Sequence, residues 1–226
     1  MNPDFSGLKD QGSRIIIMKP EIIPAILVQD RKTFVKRLKM VEGLATCVQI
    51  DCMDGQFVQN KTWYDAEPLD TTLEIELHLM VQDPMSTILA WRRIPQVVRA
   101  LWHVEIPVDH AAVIEVCRAQ GWECGLALSP DSPVSRVAEY FDQIDEVLVL
   151  GVTPGWSGQT LLPSTIDKIR TLKKHSPLIS VGFDGGVTAA NLRDILAAGA
   201  DRINIASAVF KSPDPRATLR AILSSI

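Results

Sequence analysis

Four segments of the chain place carboxylate or imidazole side chains at the ends of apolar runs. The carboxylates are Asp51 and Asp184, and the imidazoles are His78 and His103. Gln49 and Met53 alternate with Asp51 in its run, and Met80 follows His78 at the same spacing. A carboxylate among apolar neighbours is costly unless it is paired or bound to a metal. If these groups converge, they predict a metal site or an acid–base pair. Each alone could instead cap a turn or serve the structure.

Two glycine-containing stretches and one short segment are suited to binding phosphate. Residues 152–159 and 184–187 follow two late apolar runs, and Ala206 and Ser207 follow the last one. Glycine lets backbone N–H groups approach an anion closely, and a helix N-terminus favours negative charge. The alternative is that these are ordinary loops. The predicted contacts are Gly155, Ser157, Gly158, Gly185, Gly186, Ala206 and Ser207.

The elements that must position these groups alternate between strand and helix patterns. Short apolar runs alternate with helix-spaced stretches in about eight units, which indicates parallel strands joined by helices. We predict a (β/α)₈ TIM barrel, in which functional residues lie at the carboxyl ends of the strands. An open doubly wound sheet is the alternative, but no GxGxxG follows the first strand. We expect helices from Ser132 or Pro133, over 188–198 with Thr188 as cap, and from near Pro213.

Composition narrows the possible partners and compartment. The 226 residues carry a net charge of −4 without a run of like charges, which argues against nucleic acid as a partner. The apolar runs are too short to span a bilayer, so no membrane is expected. Four cysteines without a CxxC pair favour reduced thiols and a cytoplasmic location. We expect a flexible leader over residues 1–14 and a single domain over residues 15–226.

The motifs, in their order along the chain, resemble those of the ribulose-phosphate 3-epimerase family. Pro-Ala-Ile-Leu at residues 24–27 is similar to the opening Pro-Ser-Ile-Leu of the family, and residues 49–60 are similar to its His-x-Asp-x-Met-Asp-Gly-x-Phe-Val-x-Asn. Further matches are His-Leu-Met-Val at 78–81, His-Val-Glu at 103–105, Pro-Gly-Trp-Ser-Gly-Gln at 154–159 and Asp-Gly-Gly-Val at 184–187.

This resemblance implies that the (β/α)₈ barrel is of the ribulose-phosphate-binding type, and it implies a reaction and a set of roles. The reaction is inversion at C3 of D-ribulose 5-phosphate to D-xylulose 5-phosphate through an enediolate. The resemblance makes Asp51 and Asp184 the acid–base pair, and Met53 and Met80 an apolar collar. It also implies a homodimer that binds a small phosphorylated sugar. A divalent metal (Zn, Fe, Mn or Mg) would be held at Gln49, Asp51, His78 and Asp184.

Several residues depart from the family pattern. Gln49 replaces a metal-binding His, Ala25 replaces a Ser, Leu150 replaces a Met and Ala206 replaces a Gly. An amide oxygen is a poorer ligand than imidazole for zinc or iron, so we predict weak metal binding and a shift towards harder ions. The alternatives are an epimerase of another ketose phosphate and a non-catalytic phosphosugar-binding barrel. A related sugar-phosphate decarboxylase is disfavoured because its motif lysine is missing from residues 51–54.

Overall fold

The computed structural model describes residues 19–226, which form a closed barrel of eight parallel strands in chain order. This confirms the predicted barrel and excludes the open sheet. The leader expected over residues 1–14 lies outside the described residues. The strands are β1 (Glu21–Ile26), β2 (Cys47–Met53), β3 (Glu74–Met80), β4 (Val97–His103), β5 (Glu123–Leu128), β6 (Glu146–Leu150), β7 (Ser180–Asp184) and β8 (Arg202–Ile205).

Helices pack around the outside of this barrel. Four of them begin after an aspartate whose carboxylate accepts a backbone N–H of the first turn, namely α1, α2, α3 and α7. None of the helices within residues 19–226 is long and apolar enough to cross a membrane. The helices are α1 (Arg31–Val41), α2 (Pro84–Trp91), α3 (His110–Ala119), α4 (Ser164–His175), α5 (Leu192–Ala197), α6 (Ser207–Phe210) and α7 (Pro215–Leu223).

The helix expected from Ser132 or Pro133 was a wrong prediction. Two 3₁₀ turns, Val134–Arg136 and Ala138–Tyr140, take its place. A helix starting there would need the Ser132 carbonyl oxygen to accept from the backbone N–H four residues on. Instead, Lys168 of α4 donates to that oxygen at 2.6 Å and to two carbonyl oxygens just before it.

Two other helix starts differ from the expected positions. Asn191 accepts the Thr188 N–H at 2.7 Å and donates to the Gly186 carbonyl oxygen at 2.9 Å, so residues 188–191 form a turn and α5 begins only at Leu192. The last helix begins at Pro215, because the Asp214 carboxylate caps it. The short helix α6 after β8 was not expected.

The inside of the barrel changes character from one end to the other. In the middle, Leu101, Ala127, Leu148 and Leu150 form a small apolar cluster separate from the main core outside the sheet. We use the name barrel mouth for the residues at the carboxyl ends of the strands, which are Asp51, His78, His103 and Asp184. We use the name barrel floor for the charged residues at the opposite end, which are Glu76, Arg99, Glu123, Glu146 and Arg202.

The barrel floor is a network of ion pairs. Arg99 contacts the fully buried Glu76, and its Nε lies 2.7 Å from Glu123 and 3.5 Å from Glu146. Arg202 contacts Glu146 and lies 2.9 Å from Glu123. Burial alone would lower the pKa of Arg99, but the charges of Glu76 and Glu146 outweigh it and raise that pKa. The guanidinium groups are therefore permanent cations that neutralise buried carboxylates.

The seams between neighbouring strands differ in length. Strand β2 pairs with β3 along its whole length, from Cys47↔Glu74 to Met53↔Met80. Strand β1 pairs with β2 only at Ala25↔Gln49 and Ile26↔Ile50. The long seam places Asp51 directly beside His78, which begins the construction of the site.

Candidate active site at the barrel mouth

Two carboxylates and one imidazole converge at the barrel mouth. His78 Nδ1 lies 3.0 Å from Asp51 Oδ1 and 3.4 Å from Asp184 Oδ2. One ligand atom from each residue can be chosen so that all three lie within 4.8 Å of one another. The strands that carry Asp51 and Asp184 are separated by β8 and β1 in the barrel, so the two carboxylates reach the centre from different sides. The geometry suits a divalent cation or a pair of proton-transfer groups.

Gln49 lies beneath these carboxylates and is fully buried. Its Nε2 donates to Asp51 Oδ1 and to Asp184 Oδ2, each at 2.9 Å. Its Oε1 accepts from Asn204 Nδ2 at 2.6 Å. Gln49 is therefore at the site, as expected, but it faces the carboxylates with a hydrogen-bond donor. A ligand role for Gln49 stays a prediction that requires its amide to turn.

A second histidine contacts the ring nitrogen of His78 that points away from the carboxylates. His103 is fully buried, and its Nε2 lies 3.1 Å from His78 Nε2. On its other side, His103 Nδ1 lies 3.2 Å from Glu105 Oε2. Burial lowers the pKa of His103 to about 4, so its ring is neutral near pH 7. A neutral His103 that donates to Glu105 accepts the Nε2–H of His78, which leaves His78 Nδ1 directed at the carboxylates.

The pKa values of Asp51 and His78 are shifted because both groups are buried at the mouth with no arginine or lysine of residues 19–226 paired to them. Burial raises the pKa of Asp51 to about 6, although hydrogen bonds from His78 and Gln49 oppose this shift. Burial alone would lower the pKa of His78, but hydrogen bonds to Asp184 and Asp51 outweigh it and raise that pKa to about 9. The proton on His78 therefore balances part of the carboxylate charge when no metal is bound.

A cavity opens above these groups at the carboxyl ends of the strands. Met53 and Met80 line it beside Asp51, His78 and Asp184. All the predicted substrate contacts line it as well, which are Gly155, Ser157, Gly158, Gly185, Gly186, Ala206 and Ser207. The structure thus brings the predicted site residues together around one cavity, with Gln49 directly below it. Their individual roles stay predictions.

The loop after β6 is held in place over this cavity. Asn60 from the β2–β3 connection donates to the Gly155 carbonyl oxygen at 2.9 Å. Within the loop, Gln159 Nε2 donates to the carbonyl oxygens of Thr153 and Trp156 at 2.7 and 2.9 Å. Gly158 has a φ of +89°, a conformation that favours glycine. These contacts leave a preformed concave loop on one side of the cavity.

Lys211 and Asn204 are candidate site residues that sequence reasoning missed. A β-carbon placed on Gly158 would lie 2.9 Å from Lys211 Nζ and 3.9 Å from Ser207 Cβ, so the ammonium lies against the predicted phosphate contacts. Asn204 lines the cavity from β8, two residues before Ala206. A polar residue at alternate spacing from Ala206 could have signalled Asn204. The spacing of the glycine motifs gives no signal for Lys211.

Two of the departures from the family pattern lie at different depths. Leu150 at the end of β6 lines the cavity, whereas Ala25 is fully buried and pairs in register with Gln49. Leu27, which directly follows β1, lines the cavity on that side. The apolar Leu27 and Leu150 close the cavity around the polar groups of the mouth.

Comparisons with known proteins agree with this site. The model of the ribulose-phosphate 3 epimerase family matches residues 21–210. Ribulose-phosphate 3-epimerase from Bacillus subtilis is 32% identical over 215 residues, which cover 91% of this chain and 99% of that protein. The corresponding protein of Treponema pallidum is 33% identical over 219 residues, covering 89% of this chain and 94% of its own. The chloroplastic enzyme of Arabidopsis thaliana is 32% identical over 241 residues, covering 97% and 83%.

Solved structures of other proteins share the fold of this chain. A tryptophan synthase α-subunit from Pyrococcus furiosus has a TM-score of 0.68 over 92% of this chain and all of that one, with 15% identity. This likeness supports the barrel architecture and carries no information on the reaction. The family model spans all eight strands, and the relatives match nearly end to end. The chain belongs to the ribulose-phosphate 3-epimerase family.

Proposed function

We propose that this protein is a carbohydrate epimerase that interconverts D-ribulose 5-phosphate and D-xylulose 5-phosphate by inverting C3. The observation that carries the proposal is the convergence of Asp51 and Asp184, from strands that two others separate, below a cavity lined by glycine-containing loops. The family to which the chain belongs supports the same reaction.

Proton transfer is assigned to the two carboxylates. The C3 proton of the substrate lies next to a ketone, so its removal needs a base, and inversion needs an acid on the opposite face. Asp51 and Asp184 suit this requirement because they come from two different strands, β2 and β7, and both face the same cavity. One carboxylate takes the proton from one face of the substrate, and the other returns a proton to the opposite face.

A divalent metal fits the donor set at the mouth. Two carboxylate oxygens and one imidazole nitrogen within 4.8 Å of one another form a mixed oxygen and nitrogen set that zinc, iron and manganese all accept. Asp51, His78 and Asp184 would hold this ion. When bound, it supplies a positive charge that polarises the ketone and stabilises the enediolate.

Binding of the sugar phosphate is assigned to the loops and to two apolar side chains. Met53 and Met80 flank the carboxylates and exclude water from the reacting carbons. Backbone N–H groups around Gly158 and residues 185–186 bind the phosphate, and the ammonium of Lys211 beside Gly158 adds a positive charge. This arrangement fixes the sugar by its phosphate end.

Isotope exchange tests this assignment directly. Purified protein, with manganese or zinc added, is incubated with D-ribulose 5-phosphate in D₂O and followed by NMR. We expect deuterium at C3 together with formation of D-xylulose 5-phosphate. D-Ribulose without phosphate tests the phosphate site, and a six-carbon ketose 6-phosphate tests the alternative substrate class. Binding of D-ribulose 5-phosphate without exchange at C3 would contradict the epimerase and favour a sugar-binding barrel.

The proposal also includes assembly, domain organisation and location. A homodimer rests on the resemblance to the family. All four cysteines are free thiols buried in the structure, which supports a reducing compartment such as the cytoplasm. The closed barrel supports one domain over residues 15–226.

A further inference from the structure

A continuous chain of hydrogen bonds runs inside the barrel from its floor to its mouth. Arg99 donates to Glu76, and Glu76 Oε1 accepts from Asn204 Nδ2 at 2.7 Å. The same Asn204 nitrogen donates to Gln49 Oε1 at 2.6 Å, and Gln49 Nε2 reaches Asp51 and Asp184. Exposure of Glu76, Gln49 and Asn204 is at most 1%, so solvent does not replace any of these bonds. Glu76, Asn204 and Gln49 are called the amide chain below.

The chemistry at the floor sets the direction of every bond in the amide chain. A guanidinium group only donates, and a carboxylate that is paired with it only accepts. Asn204 must therefore face Glu76 with its amino group. Since that nitrogen also donates to Gln49, Gln49 must accept with its side-chain carbonyl oxygen. The side-chain NH₂ group of Gln49 is then the group that faces Asp51 and Asp184.

Turning either amide replaces these bonds with repulsive contacts. If Gln49 turned alone, its Nε2 would oppose the Asn204 donor at 2.6 Å. If Asn204 turned as well, its oxygen would oppose Glu76 Oε1 at 2.7 Å. Asn204 Oδ1 has no hydrogen-bond partner within the described residues, yet Asn204 keeps its amino group towards Glu76 and Gln49. Two opposed acceptors in a buried site are worse than one oxygen without a partner.

We propose that Gln49 is a positioning residue, held by Asn204 and Glu76 as a double donor to Asp51 and Asp184, and that it is not a metal ligand. This inference rests on the proposed function, because it concerns the same two carboxylates. The metal then has Asp51, His78 and Asp184 as its protein ligands. Gln49 holds the two carboxylates at fixed positions whether or not a metal is bound.

Reversing the polarity of the amide chain tests the inference. In the double variant Glu76→Gln and Asn204→Asp, the total charge is conserved and the side chains keep their size. The new Gln donates to the new Asp, which in turn accepts from Gln49 Nε2, so Gln49 Oε1 turns towards the mouth. We expect metal affinity to rise at least about tenfold, the lower end of what one supporting partner contributes. Zinc and manganese affinities are measured by competition with a fluorescent chelator.

Two reference variants make the measurement specific. Gln49→His supplies a ligand at the same position and sets the affinity that a fourth ligand can reach. Gln49→Leu, combined with the polarity reversal, removes the turning group, so the reversal should then have no effect on affinity. If the reversal raises affinity equally with Leu at position 49, or does not raise it in the native background, the inference is overturned.

A simpler variant covers the case in which the double variant does not fold. Asn204→Leu keeps the branched shape of the side chain and leaves Glu76 paired with Arg99, but it releases Gln49 Oε1. Metal affinity should rise towards that of Gln49→His, whereas an unchanged or lower affinity contradicts the inference. These readouts do not depend on turnover. Failure of the proposed function would appear as absent C3 exchange in all variants, with the affinity differences intact.

Discussion

The barrel mouth and the barrel floor are both clusters of buried acidic groups in one barrel, but their charges are balanced differently. At the floor, Arg99 and Arg202 neutralise the carboxylates with guanidinium groups. At the mouth, no Arg or Lys of residues 19–226 pairs with Asp51 or Asp184, and the only nearby cation is His78, whose pKa is raised to about 9. The positive charges at the floor are therefore permanent, whereas at the mouth we propose that a metal ion replaces the proton on His78.

The two clusters differ in which carboxylates a substrate can reach. Burial raises the pKa of Glu146 at the floor, with the charge of Glu76 as the next cause, and burial also raises that of Asp51 at the mouth. A shifted pKa alone does not distinguish the two clusters. Access does, because Asp51 and Asp184 line the cavity and Glu76 and Glu146 are fully buried.

The largest effect is expected at the two carboxylates of the mouth. Asp51→Asn or Asp184→Asn removes one proposed proton-transfer group and one proposed metal ligand, so kcat should fall by about 10²–10⁴-fold, the range for general acid–base catalysis. Steady-state rates of D-ribulose 5-phosphate epimerisation measure this. Asp167→Asn on the exposed face of α4 is the control and should keep the native rate. Equal losses in all three variants would show that the mouth has no special role.

The floor should respond to the loss of a cation through stability. Arg99→Met leaves Glu76 and Glu146 with less compensation, and breaking a buried ion pair costs about 3–5 kcal/mol of unfolding free energy. Urea unfolding followed by tryptophan fluorescence measures the change. Arg170→Met breaks an exposed pair with Asp167 and should cost at most about 1 kcal/mol. Similar small losses for both arginines would contradict the distinction between floor and surface.

Support of His78 from behind should be visible in metal affinity. His103→Phe keeps an aromatic ring but removes the acceptor for His78 Nε2–H, so affinity should fall by about 10–100-fold. Glu105→Gln tests the next partner and should have a smaller effect of the same sign. Chelator competition measures both. Glu115→Gln on the solvent side of α3 is the control, and a loss there of the same size would remove the argument.

The smallest effect is expected at the edge of the cavity. Lys211→Met removes the ammonium beside Gly158, so KM for D-ribulose 5-phosphate should rise about tenfold with little change in kcat, in keeping with the loss of one exposed charged hydrogen bond. Lys211→Arg should restore part of the affinity. Lys36→Met, at an exposed position of α1, provides the matched control. An unchanged KM in Lys211→Met would place the phosphate elsewhere.

The architecture and the convergence of the predicted side chains on one cavity were predictable because they depend on local patterns. Strand alternation correctly placed Gln49, Asp51 and Met53 on one face, and the ends of parallel strands brought His78 and Asp184 to them. The direction in which Gln49 presents its amide was not predictable. It depends on Asn204 and Glu76, which are distant in sequence and meet only inside the closed barrel.

The errors in the helices have a similar origin. A proline after Ser132 is typical of a helix start, but Lys168 from α4 donates to the Ser132 carbonyl oxygen that the helix would use. Thr188 is a good cap by residue type, yet the Asn191 side chain bonds the Thr188 N–H and the Gly186 carbonyl oxygen and holds residues 188–191 as a turn. Local propensity gave the right residues for a cap or turn, and contacts between segments decided which residue began the helix.

Because the seams between the strands differ in length, a metal ion bound at the mouth would affect how the barrel opens. Asp51 and His78 are carried on the fully paired β2 and β3, and Asp184 lies across the short β1–β2 seam on β7. Local opening begins where few backbone hydrogen bonds must break. An ion held by all three residues ties the two sides together. Amide protons of β1 should therefore exchange with deuterium more slowly when manganese or zinc is bound, while those between β2 and β3 change little.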